Sequence, residues 1–236
     1  MHVPDGFLDV PTSLGTAAVA LAATAAALRG ARRELDERSA PLAGLVATFV
    51  FAGQMVNFPV AAGTSGHLIG ATLAAVLVGP WTATLCLTVV LLVQALLFAD
   101  GGLTALGTNV TLMGVVAVWI GYAAFRATLT VARRLAPGRI GVVAPCAAIG
   151  GLVSVPAAAA AFAGLFAIGG TAPVDLGLLL AAMTGVHVLI GLGEAAITGL
   201  VVASVLGVRP DLVHGARSLR ARSSGRILAP APQVVS

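Results

Sequence analysis

The sequence predicts an all-α integral membrane protein of about seven transmembrane helices, N-terminus outside and C-terminus cytoplasmic. Composition is the first reason: 58% of the 236 residues are hydrophobic and 9% charged, whereas a soluble domain carries roughly 25% charged residues. The second is continuity. Ala40 to Ala99 contains no Asp, Glu, Lys or Arg, and a bilayer core takes about 20 apolar residues per helix. The third is topological: all 13 basic residues are Arg, and seven crossings put every one of them on the same side. By the positive-inside rule that side is the cytoplasm. The apolar runs do not alternate, which argues against a β-barrel.

Spans are predicted at roughly residues 12–28, 40–58, 67–79, 81–99, 105–124, 140–168 and 176–207. The first is rich in small residues, with Ala17, Ala20, Thr24 and Ala27 offering a face for close helix packing. Arg29 to Arg38 follows as a cytoplasmic loop. Span two ends near Gln54 and Asn57, polar amides of the kind that tie helices together or line a pocket. Span three is short: His67 to Gly79 makes about 20 Å of helix against a core of ~30 Å. Either the bilayer thins there, or the chain from Pro59 to Gly66 dips inward and carries His67 below the surface. Irregular backbone at that depth must be buried in protein or line a cavity. Asn109 lies near the outer end of span five, and span seven holds His187 and Glu194 on one helical face. Ionisable residues inside a membrane are functional candidates; Glu194, nearer the inner end, reads as structural or partner-facing. Residues 1–207 form the transmembrane domain, and 208–236 are expected to be a polar, disordered cytoplasmic tail.

Several functions are excluded. There is no Lys to serve a Walker A motif, so the chain does not hydrolyse ATP in the familiar way. Cys86 and Cys146 sit in apolar runs without a Cys-x-x-Cys, suggesting neither disulfide nor zinc cluster. The net charge of +4 follows topology and is no nucleic-acid signal. No basic region precedes the first apolar run, so Met1 is expected to persist.

The chemistry concentrates at the terminus. The α-amine of Met1, the amide nitrogen of His2 and His2 Nδ1 can wrap one metal ion in fused five- and six-membered chelate rings. A fourth nitrogen, for which His67 in Gly63-Thr64-Ser65-Gly66-His67 is the candidate, completes a planar set suited to Ni(II) or Cu(II). Pro4-Asp5-Gly6 reads as a turn folding the terminus back, with Asp5 orienting His2. The outer face, bearing Asp5, Asp9, Asp100 and Asp175 and no Arg, should attract cations. Two rival readings exist. Gly63-Thr64-Ser65-Gly66 with His187 fits a rhomboid-type intramembrane serine protease weakly, since neither Trp81 nor Trp119 precedes an Arg. An ion-coupled metal carrier or channel acting without an ATPase is the other.

Met1-His2-Val3-Pro4-Asp5-Gly6-Phe7-Leu8 resembles the N-terminal signature of the CbiM/NikM proteins, substrate-binding S components of energy-coupling-factor transporters for cobalt and nickel. Phe51 to Pro59, Gly63 to Leu68, Leu97 to Gly102, Ala105 to Asn109 and Ile190 to Ala195 resemble further family blocks, so the similarity runs from Met1 to about residue 207. The resemblance implies a seven-helix S component in a prokaryotic cell membrane that binds Co(II) or Ni(II) as transported substrate. The implied ligands are the Met1 amine, the His2 amide and imidazole, and the His67 imidazole. It implies a transmembrane coupling subunit, cytoplasmic ATPase subunits and, in many members, a small accessory membrane subunit; no resident cofactor is expected. Capture followed by reorientation in the bilayer is the expected mechanism. Binding is expected to weaken below about pH 6.5, the imidazole reference value.

Overall fold

Long apolar runs in lipid leave the backbone no partner but itself. The computed structural model describes residues 1–37, 39–60 and 65–219, and among them the runs become seven helical segments. These are α1 (Val10–Ala31), α2 (Ser39–Gln54), α3 (Ala71–Val78), α4 (Pro80–Leu97), α5 (Leu106–Leu135), α6 (Val143–Gly169) and α7 (Leu176–Val208). Five are long and apolar enough to cross a membrane; α2 has 16 residues and α3 has 8. A two-residue ribbon, β1 (Phe58–Pro59) with β2 (Ser65–Gly66), joins α2 to the segment before α3.

Helix α3 explains the short third span. All eight of its residues are buried, with α2, α4, α5 and α6 packed around it. At 1.5 Å per residue it is about 12 Å long, so it is a core helix rather than a full crossing. Its cap, Gly70, has φ +72°, and a Cβ there would stand 2.7 Å from Val50 Cγ2. His67 precedes that cap and is fully buried; residues 61–64 of the segment before it lie outside the described residues.

Small residues set the helix spacing. A Cβ on Gly107 would lie 2.4 Å from the Ala17 backbone, and one on Gly150 would lie 2.7 Å from Gly121 O. The Ala17 face of α1 therefore packs inside the chain, against α5 and α4. Thr16 and Thr108 hydroxyls join the same contact at 2.7 Å.

Three expectations need revision. Helix α5 runs on through Arg126, Arg133 and Arg134 to Leu135, because arginine marks a membrane boundary but is itself a good helix former. Inside it, Val110–Ala117 is a π-helical stretch that apolar periodicity does not reveal. The start of the tail is ordered: Pro210–Leu212 and His214–Ala216 form 3-10 turns, and Val213, Ala216 and Leu219 are buried in the core. Residues 220–236, together with Gly63, Thr64 and Arg38, lie outside the described residues.

The Arg-bearing end is closed by Glu34. Its buried carboxylate accepts from Trp81 N (3.2 Å), Thr82 N (2.7 Å) and Thr82 Oγ1 (2.9 Å), capping α4 from a different loop. Replacing Glu34 with Ala strands those donors, and should cost about 1–3 kcal/mol. The expected outcome is a lower thermal unfolding midpoint in detergent, partly restored by Glu34→Gln.

Candidate metal centre at the N-terminus

The first nine residues are too polar to span and have too little side-chain bulk to fold alone; they are held by the rest of the chain. Asn109, on the first turn of α5, grips Val3 at both ends: Val3 N donates to Oδ1 (2.7 Å) and Nδ2 donates to Val3 O (3.1 Å). Gly102 N donates to the same carbonyl at 3.0 Å. Asp5 accepts from Leu103 N (3.2 Å), Thr104 N (2.7 Å) and the Thr104 hydroxyl. Further along, Thr171 donates to Gly6 O and Phe7 O, and Asp9 N donates to Gly169 O. Phe7 packs on Phe162 and Phe166 of α6. The result is a strap that carries Met1 and His2 inward until they are 1% and 7% exposed.

There the His2 ring stacks on His67, centroids 4.5 Å apart. His2 Nε2 lies 3.2 Å from Gln94 Oε1, and its Nδ1 makes no hydrogen bond. His67 Nδ1–H donates to Leu68 O at 2.7 Å, leaving Nε2 equally bare and buried. Buried nitrogens without partners are uncommon and call for an explanation. The Met1 amine is buried as well. Burial pushes its pKa from 8.0 down to about 4, with Asp100 acting the other way. Burial, reinforced by the amine, likewise takes His2 from 6.5 to about 4, with Asp100 and Gln94 opposing. The strap thus holds neutral nitrogen donors together at ordinary pH. Among the described residues no group of three or more His, Cys, Asp or Glu side chains is arranged to hold a metal. A metal taken up here has to draw on main-chain nitrogen as well.

The structure sorts the other predicted residues. Asp5 does not bond His2; it anchors the strap to the α4–α5 loop. Asp100 stands beside His2 instead, Oδ1 at 3.2 Å from Nδ1, and Asn57 Nδ2 reaches Asp100 Oδ2 at 3.5 Å. Ser65 lines a polar cavity of ≈ 320 Å³ with His2, Pro4, Asp5, Asp100 and the glycines after it, which opens onto the site. Glu194 is not partner-facing: fully buried, it accepts from Ile69 N (2.9 Å) and Gly70 N (2.6 Å), while Gln54 donates to Ile69 O at 2.8 Å. Together they clamp the backbone that follows His67. His187 is buried with Nδ1–H on Met183 O (2.8 Å) and within electrostatic reach of the Met1 amine and His67. No hydrogen bond joins it to Ser65 among the described residues.

Sequence reasoning missed Gln94 and Asp100 as neighbours of His2. Gln94 had a signal, an amide alone in an apolar run. For Asp100 the signal was the following Gly101-Gly102: a Cβ on Gly101 would stand 3.2 Å from His2 Cδ2, so only glycine lets the loop reach the terminus.

Residues 2–212 match the family model CbiM, described as a cobalt uptake substrate-specific transmembrane region. The chain belongs to the CbiM family. A putative metal transport protein of Haloquadratum walsbyi is 39% identical, the match covering 90% of this chain and 93% of the relative. A putative fused nickel transport protein NikMN of Archaeoglobus fulgidus is 37% identical over 91% of this chain and 68% of its own length. The crystal structure of a transition metal transporter superposes with TM-score 0.80 at 34% identity, covering 94% of this chain and all of the other. This is a multi-pass membrane protein and a substrate-specific component of cobalt or nickel transport, and membership of the CbiM family displaces the protease reading of Ser65 and His187.

The lowered pKa values fix a sign. Unfolded, the amine and His2 take up protons as pH falls below 8.0 and 6.5; folded, they resist down to about 4. Proton uptake by the unfolded state lowers stability across that window. Chelator-treated protein should therefore unfold at progressively lower temperature as pH falls from about 8 to 5, and a flat midpoint would contradict the buried neutral amine.

Proposed function

We propose that the chain captures Co(II) or Ni(II) in a four-nitrogen chelate and hands it across the membrane as the S component of an ATP-driven energy-coupling-factor transporter. The donors are the Met1 amine, the deprotonated His2 amide, His2 Nδ1 and His67 Nε2. One observation carries the reading: two buried imidazoles, stacked on each other, each spend one nitrogen on a hydrogen bond and keep the other bare. Neutral nitrogen is the form that binds metal, and such a set suits Ni(II) or Co(II) far better than Mg(II) or Ca(II). The metal is cargo and not a resident cofactor.

The Arg-rich loops orient the chain with the site facing outward and the C-terminus in the cytoplasm. The acidic outer surface and the polar cavity at His2 then form the route of arrival. With no Lys in the chain, ATP is bound by cytoplasmic partner subunits, and a transmembrane coupling subunit transmits the stroke that tips the S component inward. The pull toward release must loosen the strap, since the amine and His2 are held there by Asn109 and Asp5.

Titration calorimetry of purified protein against a variant extended by one residue before Met1 tests this directly. The extension keeps both imidazoles but turns the old amine nitrogen into an amide. Affinity for both metals should fall at least about 100-fold, as loss of a ligand demands; equal affinity would place the metal elsewhere. A second outcome concerns protons. Because amine and His2 are already neutral, binding near pH 6 should release about one proton per metal, from the amide. With all four donors at their ordinary values the count would be about three and a half. Calorimetry in buffers of different ionisation enthalpy counts them. The fall in binding accordingly steepens toward about 4, not 6.5. Uptake by vesicles holding this chain alone, at the rate of the full assembly, would favour a carrier that needs no ATPase.

A further inference from the structure

The geometry points to Asp100 as an apical oxygen donor to the captured metal and the residue that sets its preference between Co(II) and Ni(II). This rests on the chelate proposed above and names what completes it.

The first observation is a distance. Asp100 Oδ1 lies 3.2 Å from His2 Nδ1, yet that nitrogen makes no hydrogen bond. The two atoms therefore stand at ion-pair distance with no aligned hydrogen bond between them, and a cation set against both would join them. Two donors at right angles on one transition metal, at about 2.0 and 2.2 Å, are separated by about 3.0 Å. The spacing found is that of adjacent ligands.

Charge balance is independent of that distance. A divalent ion bound by one deprotonated amide and three neutral nitrogens leaves a net charge of +1 in a buried site, which is costly without a partner. No other carboxylate acts electrostatically on both the Met1 amine and His2 among the described residues; Asp100 acts on both. Bound at the apex, it makes the loaded site neutral.

The loop is shaped to deliver it. Ala99 adopts φ +51°, a left-handed conformation for a residue with a side chain, and Gly101 has φ +89°. Asn57 Nδ2 reaches the second oxygen at 3.5 Å, leaving Oδ1 to face His2. Asp100 and His67 approach His2 separately, so the side chains form no cage by themselves; the amine and amide close the set between them. Planar nitrogen fields suit Ni(II), and an added carboxylate oxygen narrows that advantage by serving five-coordinate Co(II).

The test uses full-length protein in detergent, loaded from equimolar Co(II) and Ni(II), with bound metal counted for wild type, Asp100→Asn and Asp100→Leu. The cobalt-to-nickel ratio should fall about tenfold or more in Asp100→Leu and less in Asp100→Asn, which keeps an oxygen. X-ray absorption of the Co(II)-loaded wild type, which depends on no variant folding, should give five donors. Four-coordinate cobalt in the wild type overturns the proposal. So does an unchanged ratio with both affinities reduced, since Asp100 would then act through charge alone. Either result leaves the four-nitrogen chelate standing. Wild type that binds neither metal removes the chelate and this proposal together.

Discussion

The constraint at the site is the burial of the chain terminus itself, which leaves Met1 1% exposed and lowers the pKa of its amine. A free α-amine is cheap to keep charged in water and expensive to keep charged inside a protein. Driving it to about 4 requires that the whole terminus be pulled in and its backbone partners replaced one for one. Asn109, Gly102, Asp5, Thr171 and Asp9 do this. None of them offers a donor to the metal. They convert an ordinary chain end into a rigid ligand arm, and the preorganisation is in place before any ion arrives.

The far side of the site is held by equal means. His67 follows a ribbon and precedes a helix of eight residues with no lipid contact. A loop at that depth would be floppy and unsatisfied without partners. Glu194 on α7 accepts from two of its amides and Gln54 on α2 donates to its carbonyl. A clamp on α2 and α7 and a strap on α5 and the α4–α5 loop therefore meet at one stack of imidazoles.

How much of this was legible in the sequence follows from the range of each interaction. Helices in lipid are dictated locally, so most spans emerge from hydropathy to within a few residues; the fifth overran its expected end because arginine continues a helix past the membrane boundary. Met1 and His2 are adjacent, and their chelate rings are matters of covalent geometry; His67 stood out as an ionisable residue amid apolar neighbours. Glu194 was visible as an intramembrane carboxylate, yet its partners are amides 124 and 125 positions away, and nothing local names them. Asp5 was assigned to the wrong neighbour for the same reason: it and Asp100 are both carboxylates near a turn, and only the fold decides which one meets His2. The order of residues 210–219 was hidden because three apolar side chains, Val213, Ala216 and Leu219, lie among polar ones that suggest a tail.

The arrangement separates capture from choice. In the proposed chelate capture would belong to nitrogen: four donors in a plane bind late first-row ions tightly, copper more tightly than nickel and nickel more than cobalt. A transporter that relied on the plane alone would inherit that order. Selectivity against it has to come from something the plane lacks, either an axial donor or control of what arrives. Asp100 stands at the one point where both are available, lining the polar cavity and facing His2 Nδ1. Its loop carries left-handed backbone at Ala99, a conformation costing on the order of 1 kcal/mol that persists because Gly102 and Asp5 tie the same loop to the strap. The strain and the tether thus hold the carboxylate beside His2, where the proposed apical contact would weigh most on the metal's choice.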